Sequence, residues 1–110
     1  MGKYLAIFNG AASEEQKDAI SPEQQQAFMA AWGEWAQNHA SALTDPGAPL
    51  FAKRVVTSDG DTEFTDSKTA YAIVEADSHD TAVAIFAKHP HLTLMAGNSI
   101  EVIECPSLPV

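Results

Sequence analysis

The groups in this chain able to move a proton, hold a metal or attack a substrate are few: four histidines, one cysteine and scattered carboxylates. His39 is the first candidate. At 100° per residue, Phe28, Trp32, Trp35, His39 and Leu43 fall within about 80° of one another on one helical stripe. An imidazole on an otherwise apolar stripe is either a core-edge residue bonded to backbone or a proton carrier. Asp77 and His79 lie at the end of a predicted strand that the chain's up-and-down path brings to the same end of the domain. A His39–Asp77 dyad is then geometrically accessible, with the aspartate fixing the tautomer and the histidine transferring the proton. The plainer alternative leaves His39 at the core edge and Asp77 as a helix cap.

His89-Pro90-His91 raises a metal reading. The two predicted helices run antiparallel, which places His39 and His89 at opposite ends of the chain's fold. Two histidines without a nearby fixed cysteine or carboxylate make a poor ligand set. No metal and no cofactor is expected, and His89 reads better as a helix-ending residue near the dipole. Trp32, Trp35, Phe86 and His89 are the residues expected to line a pocket between helix and sheet, although large aromatics at this spacing also serve simply as core. Cys105 has no cationic neighbour in sequence to activate it. No Gly-rich phosphate loop, HExxH or GxSxG pattern occurs.

These side chains need elements to position them. Residues 3–8 form an apolar run rich in strand formers, stopped by Asn9-Gly10, and residues 11–20 read as a loop. Ser21-Pro22-Glu23-Gln24 is a helix start: Ser21 caps, Pro22 needs no N–H there, and Gln24 closes a capping box. The helix is expected to reach about Leu43, where Asp45-Pro46-Gly47-Ala48-Pro49 stops it. A second strand is expected over residues 50–57, with a turn at Asp59-Gly60 and a solvated acidic loop over Asp59–Asp66. A third strand follows over 69–76. Asp77 or Ser78 caps a second helix whose inner stripe is Ala82, Ile85, Phe86 and His89, ended by Pro90. A last strand runs from about Asn98 to Glu104, with a tail over about 105–110. The order is βαββαβ, so the expected fold is α+β and ferredoxin-like. It has a four-stranded antiparallel sheet and two helices on one face, in a single domain over 1–110. The bare sheet face predicts a homodimer paired through its sheets into an α+β barrel.

Composition excludes several functions. The 110 residues carry a net charge of −9, from 15 Asp and Glu against 6 Lys and Arg. A phosphate backbone is repelled by that balance, and the one basic cluster is Lys53-Arg54, so no nucleic-acid partner is expected. No apolar run approaches the roughly 20 residues a bilayer span needs. The single cysteine forms no intrachain disulfide, and the short apolar start is not a signal peptide, which together suggest the cytoplasm.

Several segments resemble the YCII-related domain family of the dimeric α+β barrel superfamily. They are Met29-Ala-Ala-Trp-Gly-Glu-Trp35, Asp45-Pro-Gly-Ala-Pro49, Tyr71-Ala-Ile-Val-Glu-Ala-Asp-Ser78, His89-Pro-His-Leu92 and Gly97-Asn-Ser-Ile-Glu-Val102. The resemblance spans roughly residues 4–104 and implies a ferredoxin-like protomer paired through its sheets. Most members of that family have no assigned activity, and a few relatives are cofactor-free enzymes acting on small cyclic or aromatic molecules. The Asp-Gly-Pro-Phe signature of one branch is missing, with Asp59-Gly-Asp-Thr-Glu-Phe64 near its place. The early helical histidine of the founding branch has no counterpart, so no catalytic residue is carried over. Two functions follow as expectations: a small-molecule-binding homodimer, or a cofactor-free isomerase, lyase or dehydrochlorinase-like enzyme with His39 as acid-base.

Overall fold

Strand β1 (Gly2–Asn9) forms where the apolar run over 3–8 suggests a strand, and its side chains alternate: Tyr4, Ala6 and Phe8 are buried, while Lys3, Leu5 and Ile7 point the other way. The computed structural model describes residues 2–10 and 19–107, so parts of the expected 11–20 loop and of the tail lie outside the described residues. Helix α1 (Pro22–Asn38) begins with the capping box. Ser21 Oγ accepts from Gln24 N at 3.1 Å, and Gln24 Oε1 accepts from Ser21 N at 2.9 Å. It is followed by β2 (Leu43–Pro49), β3 (Lys53–Thr57), β4 (Gly60–Phe64) and β5 (Lys68–Ala76). Helix α2 (His79–Phe86), the one-turn α3 (His91–Leu94) and β6 (Ser99–Glu104) complete the described elements. Of the two caps considered for α2, Ser78 is the one used: its Oγ accepts from Thr81 N at 3.1 Å.

Four strands form one antiparallel sheet in the order β2-β5-β1-β6, and β3 pairs only with β4 in a separate hairpin. The expected second strand over 50–57 is therefore corrected. The sheet's second strand is Leu43–Pro49, the stretch read as a helix stop, and residues 53–57 belong to the hairpin. The helix also ends at Asn38, not near Leu43, because His39 leaves helical geometry (φ −118°, ψ 18°) and residues 42–50 pair with β5. Glu75 N donates to Ala42 O at 2.9 Å and Leu50 N to Thr69 O at 2.9 Å, so β2 satisfies backbone groups along the outer side of β5. Prolines are tolerated there because an edge strand does not need every N–H. The strand is bulged, with register shifts on either side of Asp45. Gly47 supplies the positive φ (+82°) that this bend requires.

The core lies between the sheet's inner face and the helices. On the sheet side its residues are mostly small, namely Ala6, Ala70, Ala72, Val74 and Ala76, with Phe8 and Tyr4 as the large ones. The helices answer with Trp35, Ala82 and Phe86, and Trp32 and Ile85 pack against them. Trp35 Nε1 donates to Ile85 O at 2.9 Å, which fixes α1 against the end of α2 and satisfies the indole on burial. The opposite sheet face is covered by no helix among the described residues. It presents Leu5 opposite Ile73 and Ile103, and Ile7 opposite Tyr71, rimmed by Lys3, Glu75 and Glu101.

Candidate functional site

Small residues beneath a helix propped on aromatic rings leave space, and the fold has such a place. A cavity of about 540 Å³ opens between α1, the β2–β5 edge of the sheet and α3. Phe28, Met29 and Trp32 of α1 form one wall, and Pro46–Pro49 with Ala70 form the floor. Leu94, Met95 and His91 close the remaining side. Gly10, Gly33, Gly47 and Ala48 contribute almost no side-chain volume, which is why close packing fails here. None of the described lining residues is Asp, Glu, Lys or Arg. The volume falls in the range of small-molecule sites.

His91 is the imidazole among the described residues of this wall, and its ring is fixed. Its Nε2 lies 2.9 Å from the Asn9 carbonyl oxygen. A carbonyl only accepts, so Nε2 carries the proton and Nδ1 keeps its lone pair. Nδ1 takes no hydrogen bond from the described residues. The backbone around the ring is held on both sides: Asn98 Nδ2 donates to His91 O at 3.0 Å, and His91 N donates to His89 Nδ1 at 3.0 Å. The ring packs edge-on to Phe8 with centroids 5.4 Å apart. The residue as a whole is 5% exposed.

His89 sits behind the cavity, 1% exposed, in a nest of rings. Trp32, Trp35 and Phe8 all meet it edge to face, with centroids 4.3, 4.4 and 4.9 Å away. Because Nδ1 accepts from His91 N, the proton sits on Nε2, which has no hydrogen-bond partner. The perpendicular Trp32 ring (88°) offers that N–H a π face at most. Burial, then the proximity of His91 and of His39, pushes the His89 imidazolium pKa down to about 3. The ring is neutral throughout the physiological range.

The expected separation of His39 from His89 is also corrected. Both rings pack against Trp35, at 5.2 and 4.4 Å between centroids. The reason is helix length. Helix α2 has 8 residues against 17 in α1, or about 12 Å against about 25 Å. Its end therefore stops within two turns of the α1 C-terminus, and the chain turns inward there. His39 itself is the half-buried C-cap of α1. Asp77 is exposed, and among the described residues no hydrogen bond or ion pair joins it to His39. His79 is committed elsewhere: its Nε2 donates to Val102 O at 2.8 Å while the ring packs on Tyr4.

Of the four residues expected at a pocket, Trp32 lines the cavity, whereas Trp35, Phe86 and His89 fill the core behind it. His91 entered the sequence argument only through the metal reading, and the geometry gives it a different part. Among the described residues no three or more His, Cys, Asp or Glu gather as a metal would require. No helix of the described residues is long and apolar enough to cross a membrane.

The fold and site define a small α+β domain with a chamber whose described lining carries no Asp, Glu, Lys or Arg. Among solved structures the chain is similar to 5-chloro-2-hydroxyhydroquinone dehydrochlorinase from Burkholderia phenoliruptrix AC1100, in complex with 2,5-dihydroxybenzoquinone. The two share 17% identity, the match covers 90% of each chain, and the TM-score is 0.49. No protein-family model and no curated protein sequence matches the chain. Likeness at this level assigns neither ligand nor chemistry to it.

Proposed function

We propose that this chain is a ferredoxin-like, YCII-related cytoplasmic protein that pairs through its helix-free sheet faces and binds one neutral, largely apolar small molecule. The molecule occupies the α1–sheet cavity, and its hydroxyl or N–H donates to His91 Nδ1. The observation that carries this reading is a cavity of about 540 Å³ with no charged side chain among its described lining residues, whose wall holds an imidazole with a fixed tautomer and an acceptor that no described residue uses. An anionic ligand meets no cation among the described residues of that wall, and the chain's net charge of −9 opposes it further.

A second reading is favoured by the same nitrogen. An imidazole anchored through one N–H with its other nitrogen bare is oriented as a general base. A cofactor-free proton transfer within the bound molecule is then the reaction class, with His91 taking the proton that the sequence assigned to a His39–Asp77 dyad.

Three probes separate these contributions. 2-Naphthol carries a donor, naphthalene lacks it, and 2-naphthoate is an anion of similar size. Quenching of Trp32 fluorescence follows each titration. 2-Naphthol binds about tenfold more tightly than naphthalene, one neutral buried hydrogen bond's worth, and 2-naphthoate does not bind measurably. In His91→Phe that preference for naphthol over naphthalene disappears. Equal binding of all three probes to the wild type, or an unchanged preference in His91→Phe, overturns the reading.

A further inference from the structure

The β3–β4 hairpin is the one described element pair whose strands join neither edge of the main sheet. A two-stranded hairpin alone is marginal in water and is normally held by packing. This one is tied down at its base, where Lys53 Nζ donates to Lys68 O at 2.7 Å and pairs with Asp66 at 2.9 Å. Beyond the base it carries apolar side chains into solvent. Val56 is 79% exposed and Val55 44%, and at the base Phe64, paired with Lys53, is 39% exposed and Phe51, two residues before the arm, 81%. Exposed rings and branched side chains on a projecting arm mark a surface that is covered by something.

We infer that the arm is a clasp for a second copy of this chain, adding to the helix-free sheet faces in a symmetric dimer. This rests on the dimer reading given above. Area supports the choice of partner. Four strands at about 4.8 Å spacing and about 3.3 Å per residue give a face on the order of 400–500 Å² in projection. A stable interface buries roughly 800 Å² per partner. The sheet face alone falls short, and the arm alone is smaller still. The two are continuous along the chain, because the arm runs through Asp66 and Lys68 directly into β5, which carries Tyr71 and Ile73 on the helix-free face. A partner that meets both patches at once is a copy presenting the same two patches, each arm reaching across the two-fold axis.

The test uses the full chain with Phe51→Ser and Val56→Lys together. Both side chains are exposed, so circular dichroism stays that of the wild type, and the new lysine faces Asp61 across the hairpin. Sedimentation velocity over a wide dilution series shows the wild type as a dimer and the double variant with a dissociation constant raised at least about tenfold. Ile73→Lys, on the sheet face, is monomeric. Amides of residues 53–64 exchange slowly in the dimer and quickly on dilution. A double variant that dimerises as the wild type does overturns the clasp while the sheet-paired dimer stands, and so does exchange in the arm that ignores dilution. A wild type monomeric at every concentration removes the dimer itself and the clasp with it.

Discussion

Urea unfolding at pH 7 and again at pH 4 shows this domain losing roughly 2–3 kcal/mol through a single imidazole. The source is His89. Its pKa is about 3 when folded and 6.5 when exposed in the unfolded chain. Between those values the unfolded state binds a proton that the folded state does not. The contribution is complete above about pH 6.5 and is lost as pH falls, by at most about 1.4 kcal/mol per unit, until it is exhausted near pH 3. Partial access of solvent to the opened ring trims that slope. Asp66 behaves separately. Hydrogen bonds from Lys68 and Lys53 hold its carboxyl down to about 2, so its loss begins only below its ordinary value of 3.8. His89→Leu flattens the profile between pH 6.5 and 4 but lowers stability at pH 7, because His91 N then loses its acceptor. A wild type as stable at pH 4 as at pH 7 would show that His89 titrates normally.

Gly47→Ala has the second large effect, a destabilisation of at least about 4 kcal/mol read by thermal unfolding. Its φ of +82° disfavours any side chain, and a Cβ there lies 1.6 Å from the Tyr71 carbonyl oxygen. Neither atom belongs to a flexible side chain, so no rotamer relieves the clash and β2 must leave β5. The Asp45 carboxylate is displaced with it. That group accepts from Gly47 N at 2.8 Å and from the Tyr71 hydroxyl at 3.0 Å, and this second hydrogen bond, then the carboxylate's charge, raises the Tyr71 pKa. Pro46–Pro49 also floor the cavity, so probe binding fails together with stability. Gly33→Ala is the control: nothing lies within 4 Å of its Cβ, and alanine in a helix gains about 0.5–1 kcal/mol. A Gly47→Ala protein that melts with the wild type would mean that β2 does not pair as described.

What the residues disclosed in advance was the local chemistry. Ser21-Pro22-Glu23-Gln24 opens α1, the runs over 3–8 and 69–76 form β1 and β5, and Ser78, one of the two caps considered, starts α2. Elements decided by distant partners were hidden. Asp45-Pro46-Gly47-Ala48-Pro49 reads as a break under any local rule, yet the open side of β5 recruits it as a strand. The stripe holding His39 and Leu43 continues a helical period past Asn38, because both residues face the core from a turn and a strand instead. The site was less legible than the fold. Nothing in His89-Pro90-His91 says that the chain bends inward after eight helical residues, which buries one imidazole among rings and brings the other to a cavity wall. The proton on His91 is set by the backbone of Asn9, 82 positions away, and no spacing rule reaches that far.

The prolines of β2 have one more consequence. Pro46 and Pro49 stand on an outermost strand, where another chain would add itself rung by rung to build a continuous ribbon. Each deletes a donor from that rail, and the bend at Gly47 tilts what is left. At the opposite rail Glu101 and Glu104 set like charges against any identical neighbour in register. Lateral growth into fibres is thereby opposed at both margins of the sheet.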